Sequence, residues 1–358
     1  MSPTSTIAPQ VEMAKVETFV DQAVSDAAAA VSVLLTHIGD RLGLYRAMAD
    51  GDPVTPEQLA SRTDTNPRLV QEWLNNQTVG GYVVHDPRTG AFCLPAEHAL
   101  ALAHESSPAM VQGLFDLVAA VYQSIDQEIA AFRTGTGLAW ADHHPSLFTA
   151  TERAFRPGYQ AHLVHEWIPA SDGLHEKLTA GARVADVGCG RGASTVVLAS
   201  AYPNSTFVGY DYHAPSLEAA RAAAEGAGVA QRVEFRLAEA TSIAGPFDLI
   251  AFFDCWHDTA DPLGVAKAAR QALAEDGQVL LVEPLAGDHL EDNVNPLGRF
   301  GYGISTLVCT PCSVSDGGPG LGAQAGEART RETFTEAGFG TLRRAAETPL
   351  NIVYEARP

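Results

Sequence analysis

The chain has 358 residues, 43 Asp and Glu against 23 Lys and Arg, a formal net charge of -20 and 46% hydrophobic residues. That length calls for two domains, each with its own core, and so acidic a surface repels phosphate backbones and anionic membranes, which disfavours nucleic acid as a partner. No apolar run approaches the ~20 residues that span a bilayer, the leading MSPTSTIAPQVEMAK lacks the apolar core of a signal peptide, and five scattered cysteines make no disulfide framework; a cytoplasmic protein with reduced thiols and no membrane span is expected.

Residues 1–10, rich in Ser, Thr and Pro, read as a disordered tail. Residues 11–134 read as a mostly α-helical domain built around a winged helix. Its first stretch, Val11 to Ala49, repeats apolar residues at helical spacing: Val16, Phe19, Val20 and Val24, then Val31, Leu34, Leu35, Ile38 and Leu42. Thr55 caps TPEQLASRT and Asn66 caps NPRLVQEWLNNQTV, each with a proline at the first helical position. YVVHDPRTGAFCL alternates around a DPRTG turn and predicts a hairpin. Helix, short helix, longer helix and hairpin give a winged helix over about residues 31–95, and Leu100–Arg133 is helical again. Residues 135–179 read as a linker: a loop from Gly135 to Gly158, carrying Trp140, His143 and His144, then a helix around Tyr159–Leu178.

Over residues 180–358 the texture becomes alternating strand and helix. ARVADVG, STFVGYD, RVEFRLAEA, FDLIAFFD and GQVLLVEP are strands with helices between them; TLRRAAE and NIVYEAR are two closing strands. The fold class is therefore α/β, a Rossmann-like doubly wound sheet with helices on both faces and an antiparallel hairpin at its end.

VADVGCGRGA ends the first of these strands and opens a helix. By itself G-C-G-R-G-A also fits a dinucleotide loop, and that pattern alone is weak. Asp186, two residues before Gly188, would repel a pyrophosphate but can accept from an ammonium. Asp211 ends the next strand, where a carboxylate can take two ribose hydroxyls, in a nicotinamide cofactor as much as in any other nucleoside.

D-V-G-C-G-R-G resembles the first motif of class I methyltransferases. The resemblance implies that Asp186, Gly188, Gly190 and Gly192 hold the amino-acid end of S-adenosylmethionine, that Asp211 holds its ribose, and that Glu239 meets the adenine edge. That family more often has Asp after Gly at the last position. S-adenosylhomocysteine would be the product. The stretches GRGAST, GYDYH, FFDCWHDTADP, VEPLAGD, DNVNPLG, CTPCS and LGAQAGEAR make nearly the whole chain similar to actinobacterial proteins that join a winged helix to a class I methyltransferase and are often labelled transcriptional regulators.

Methyl transfer to a hydroxyl needs alignment and a base. The base is expected at the carboxyl end of the fourth strand, in FFDCWHDTADP, and His257 is the candidate. Plant small-molecule O-methyltransferases, which also carry a winged-helix-like dimerisation domain, place a catalytic His in H-D-W-x-D at this point. His257, Asp258 and Asp261 match, while Thr259 stands where that pattern has Trp. Glu283, in VEP after the fifth strand, falls where that family orients its His. The bland alternative is that His257 and Asp258 cap the next helix. Asp254 is expected on the cofactor side of the cleft; Trp140, His143, His144, Arg156, Tyr159 and His213 are expected to line the acceptor pocket or close over the cofactor. No metal is expected: His143 and His144 are adjacent, and Cys309-x-x-Cys312 lacks a second pair.

Between Thr55 and Leu94 stand Arg62, Arg68 and Arg88 against Glu57, Asp64, Glu72 and Asp86, which is no basic footprint for DNA. The expected function is methylation of a small, hydrophobic or aromatic acceptor, on oxygen, by a homodimer. The alternatives are an S-adenosylmethionine-sensing winged-helix regulator without catalysis, and a nicotinamide-dependent oxidoreductase.

Overall fold

The computed structural model describes residues 11–358. The tail of residues 1–10 lies outside the described residues. The chain divides into two compact units, one up to Phe115 and one of Asp116–Pro358.

In the first unit both sequence-predicted caps form. Thr55 Oγ1 accepts from Gln58 N at 3.3 Å, and Gln58 Oε1 accepts from Thr55 N at 2.8 Å, a reciprocal capping box on the helix Pro56–Thr63. Asn66 Oδ1 accepts from the N–H groups of Arg68 and Leu69 and starts the helix Pro67–Val79. The wing is β1 (Val84–Asp86) paired antiparallel with β2 (Ala91–Cys93). Leu44, Tyr45, Met48, Leu59, Trp73, Leu74 and Phe92 make the core. Trp73 Nε1 donates to Leu35 O at 2.9 Å, and a Cβ on Gly39 would lie 2.5 Å from the Trp73 ring. The two helices therefore meet at a glycine because an indole fills the space.

The helix Met13–Arg41 departs from one expectation. It runs 29 residues, and an 18-residue window of it reaches a mean hydropathy of 1.3, enough in length and composition to cross a bilayer. A count of consecutive apolar residues misses it, because alanines carry the average between scattered polar positions. None of that window is buried, and Phe19, Val24 and Val31 are each more than half exposed.

The second unit is built on one seven-stranded sheet of order β5-β4-β3-β6-β7-β9-β8. Its strands are β3 (Arg183–Val187), β4 (Thr206–Asp211), β5 (Val233–Leu237), β6 (Phe247–Phe253), β7 (Leu273–Pro284), β8 (Thr341–Glu347) and β9 (Asn351–Arg357). The first five are parallel; β9 inserts antiparallel beside β7, with β8 outside it. One core layer gathers Leu163, Trp167, Leu198, Phe207 and Leu249. The other gathers Phe247, Phe252, Trp256, Phe334 and Tyr354. The switch from β3 leftward to β6 rightward opens a crevice at the carboxyl ends of β3, β4 and β6, where open α/β sheets bind ligands.

The linker is more helical than expected. Gly135–Gly158 is not one loop: a helix runs Ser146–Gly158 with Pro157 inside it. The chain continues as a π-helix over Tyr159–Trp167, breaks at Gly173 and resumes as Leu174–Ala180. Pro157 cannot donate to the helical ladder, and a widened π turn is one way a helix absorbs such a fault.

Candidate active site

Gly188, Gly190 and Gly192 follow β3 with φ of 71°, 52° and 82°, the left-handed region that costs other residues 1–2 kcal/mol or so. Two of them are also sterically required. A Cβ on Gly188 would come within 2.6 Å of Cys255 Sγ, and one on Gly192 within 2.9 Å of Ala220 Cβ. Gly190 has nothing within 4 Å of its Cβ direction, so the crest of the loop is open. The helix Ala193–Ala201 starts at once behind it.

Two carboxylates grip this loop from either side. Asp186 is buried in β3; its Oδ2 accepts from Ser194 Oγ at 2.7 Å and Thr195 Oγ1 at 2.5 Å. Its Oδ1 is buried without a partner. Burial pushes its pKa up to about 6, against the pull of the two hydroxyls. Asp211, at the end of β4, accepts from Gly190 N and His213 N, both at 2.8 Å. Burial raises its pKa as well, and the backbone donors oppose that. Glu239 stands exposed just past β5. An open glycine crest, an orphaned buried carboxylate oxygen and a second carboxylate on the neighbouring strand fit a nucleoside whose other end is an ammonium.

Asp254 is differently placed from the other two. Its Oδ2 accepts from Tyr159 Oη at 3.1 Å and its Oδ1 from Asn351 Nδ2 at 2.6 Å, with φ at +53°. Burial, then the neighbouring Glu283, push its pKa up to about 8. In this state the carboxylate ties β6 to β9 and to the π-helix.

Past Asp254 the chain turns sharply. Cys255 Sγ donates to Val187 O at 3.1 Å, which locks the end of β6 to the glycine loop. Trp256 is fully buried against Phe334 and belongs to the core. His257, also buried, is bonded through Nδ1 to Glu283 Oε2 on β7. Asp258 Oδ1 pairs with His257 Nε2 at 3.0 Å. Burial lowers the His257 pKa, but Asp258 and Glu283 outweigh it and hold the pKa well above 6.5. The helix cap falls elsewhere: Asp261 Oδ1 accepts from Gly264 N at 2.8 Å at the head of Pro262–Ala272. His257 and Asp258 are therefore free of capping duty.

The other sequence candidates scatter. Trp140, Phe148 and His213 form a run of ring contacts, 5.2 and 4.2 Å between centroids, that ends beside Asp211. His143 is buried with Nε2 3.7 Å from Cys312 Sγ. His144 is exposed and bonded to Ser146 Oγ; Arg156 pairs with Glu152 at 3.0 Å. The sequence weighed Cys309 only as half of a Cys309-x-x-Cys312 pair that lacks a second pair; it lies against His257 and Asp258, while Cys312 turns to His143. One residue was missed. Glu128 is buried with both oxygens unpartnered and a pKa raised by burial to about 7; nothing in DQEIAAF marks it. A cavity of about 560 Å³ lies away from this chemistry, between Arg331, Arg343, Arg357 and Glu355. Glu355 pairs there with Arg343 and Arg357.

Residues 178–307 match the methyltransferase-domain family, and residues 29–104 the Rv2258c-like winged helix-turn-helix domain. A winged helix-turn-helix match is thus followed along the chain by a methyltransferase-domain match, and the sheet has the class I methyltransferase fold. Its fold is shared along almost the whole length with several solved structures. The mitomycin 7-O-methyltransferase MmcR aligns with a TM-score of 0.72 at 18% identity, over 97% of this chain and 100% of that one. PigF, solved with SAH, gives 0.70 at 18%, over 94% and 99%. Human N-acetylserotonin methyltransferase, solved with SAM, gives 0.68 at 17%, over 98% and 99%. No curated protein matches the sequence.

Proposed function

We propose that the chain is an S-adenosylmethionine-dependent methyltransferase acting on a hydroxyl of a small hydrophobic or aromatic acceptor. The observation that carries the reading is the conjunction at one crevice: a glycine loop flanked by Asp186 and Asp211, with the His257–Glu283 pair at the neighbouring strand ends. The solved neighbours named for O-methyl transfer support the oxygen.

The cofactor would supply a methyl group on a sulfonium, already activated for displacement. Asp186 Oδ1 would receive its ammonium, Asp211 its ribose hydroxyls and Glu239 its adenine edge. Glu283 holds His257 by Nδ1, which directs Nε2 at the reaction side. The acceptor hydroxyl gives its proton to that nitrogen as its oxygen takes the methyl. Asp258 and Glu283 favour the protonated imidazole, so Nε2 acts as base only after it has shed its proton. Asp258, the more exposed neighbour with 26% of its side chain accessible against 8% for Glu283, is the group that makes way for the acceptor.

The winged helix serves assembly in this reading. Between Thr55 and Leu94 each of the three arginines lies against a carboxylate: Arg62 by Asp50 at 3.5 Å, Arg68 by Glu72 and Arg88 by Asp86 at 3.4 Å. That leaves little for a DNA backbone and disfavours a regulator without catalysis. The exposed apolar stripe of Met13–Arg41 fits a second copy of the chain better than a bilayer, since Glu17, Asp21 and Asp26 interrupt it. This reading takes the protein as a cytoplasmic homodimer.

The test is His257→Ala. Calorimetric titration should give unchanged affinity for S-adenosylhomocysteine, while radiolabelled methyl transfer to a panel of phenols falls about 10²–10⁴-fold. Full transfer by the variant removes His257 as base; no affinity of the wild type for S-adenosylhomocysteine removes the whole reading.

A further inference from the structure

We propose that His257, Asp258 and Cys309 form a three-ligand site for a zinc-like divalent cation at the catalytic end of β6. His257 Nε2, an Asp258 carboxylate oxygen and Cys309 Sγ all lie within 4.8 Å of one another. Nitrogen, oxygen and sulfur donors together select a borderline metal over magnesium or calcium. Zn–N near 2.0 Å and Zn–S near 2.3 Å put tetrahedral ligands about 3.3–3.6 Å apart, so the cluster closes on an ion by shifts of about an ångström.

Three features make this more than a chance grouping. His257 and Cys309 are buried, so a thiol sulfur and an imidazole nitrogen share a pocket screened from water. Asp258 Oδ1 pairs with Nε2 at 3.0 Å, so the carboxylate and the imidazole nitrogen already face the point that Cys309 Sγ also approaches. Glu283 holds the opposite ring nitrogen, one of the outer acceptors to which metal-binding histidines donate. The sequence hides the site because its ligands come from two places: a turn after β6, and Cys309, where a π-helix (Ser305–Cys309) meets the helix Thr310–Ser315. Cys312, the other thiol of CTPC, turns to His143 instead.

Three protein ligands leave a fourth position, as in open zinc sites. A bound ion takes the Nε2 lone pair that proton removal needs, so metal and base use exclude each other. That consequence rests on the proposed role of His257; the site itself does not.

The experiment is a titration of metal-free full-length protein with Co²⁺. One ion per chain is expected, with strong tetrahedral d–d bands and a near-ultraviolet thiolate-to-metal band, both displaced by Zn²⁺. Cys309→Ser should remove the thiolate band and Cys312→Ser should keep it. Glu283→Gln should keep it with about 10–100-fold weaker binding. Asp258→Asn, which leaves the core untouched, should also weaken binding and guards against misfolding of the cysteine variant. No stoichiometric uptake, a spectrum without the thiolate band, or a band lost with Cys312 and kept without Cys309 overturns the site. S-adenosylhomocysteine affinity, measured on the same samples, reads the methyltransferase proposal separately.

Discussion

Asp186 concentrates the argument at the scale of a single side chain. One oxygen is spent on Ser194 and Thr195, which fastens the first turn of the helix behind the loop; the other is buried and unpaired. Such an oxygen costs free energy unless a donor arrives, and a ligand ammonium is such a donor. Burial raises the Asp186 pKa to about 6. A carboxylic acid with a raised pKa is protonated below that value and charged above it. Affinity for an ammonium-bearing ligand should therefore be full above about pH 7 and fall as pH drops through 6. Calorimetry with S-adenosylhomocysteine between pH 5 and 8 checks this, and Asp186→Asn should flatten the profile. Gly188 and Gly192 belong to the same scale. Their roles were written in the sequence as glycine, but which atoms would clash, Cys255 Sγ and Ala220 Cβ, was not.

Among the elements, the segment from β6 to the helix Pro262–Ala272 decides how the site is read. His257 and Asp258 could have been its cap, and Asp261 holds that position instead. Asp261→Ala should cost about 1 kcal/mol of stability, the usual worth of an N-cap, measured by urea unfolding. It should leave S-adenosylhomocysteine affinity unchanged, because the cap lies three residues beyond the last candidate side chain. An equal loss from Asp258→Ala by the same measurement would return capping duty to Asp258. The linker shows the reverse case. Pro157 and Gly158 read as helix breakers, yet the helix runs through them and goes on as a π-helix carrying Tyr159 to Asp254. Local propensity lost there to packing, since Leu147, Phe148 and Leu163 are buried.

For the molecule as a whole, the open question on its surface is the helix Met13–Arg41. Val16, Phe19, Val20, Val24, Val31 and Ile38 are exposed along it, and a run of exposed apolar side chains on one element marks an interaction surface. Phe19→Asp with Val24→Asp should convert a dimer to a monomer in sedimentation velocity. A wild type that already sediments as a monomer at micromolar concentration would discard the dimer. The acidic excess of the chain, net -20, works in the same direction as the paired arginines of the winged helix, away from nucleic acid.

The sequence by itself determined the strands, the winged helix, its two caps and the closing hairpin, because alternation, helical periodicity and capping chemistry act between residues close in the chain. It also determined the glycine loop with Asp186 and Asp211, since a strand, turn, helix and the next parallel strand form one local unit. Only the tertiary structure decided that Asp254 is held by Tyr159 and Asn351, that Asp261 is the cap, and that Cys309 meets His257. Those contacts join residues 52 to 97 positions apart, apart from the cap, whose ambiguity only geometry resolves. Periodicity carries no information about which distant strand end or helix face will share a buried space; the packing of the sheet settles that.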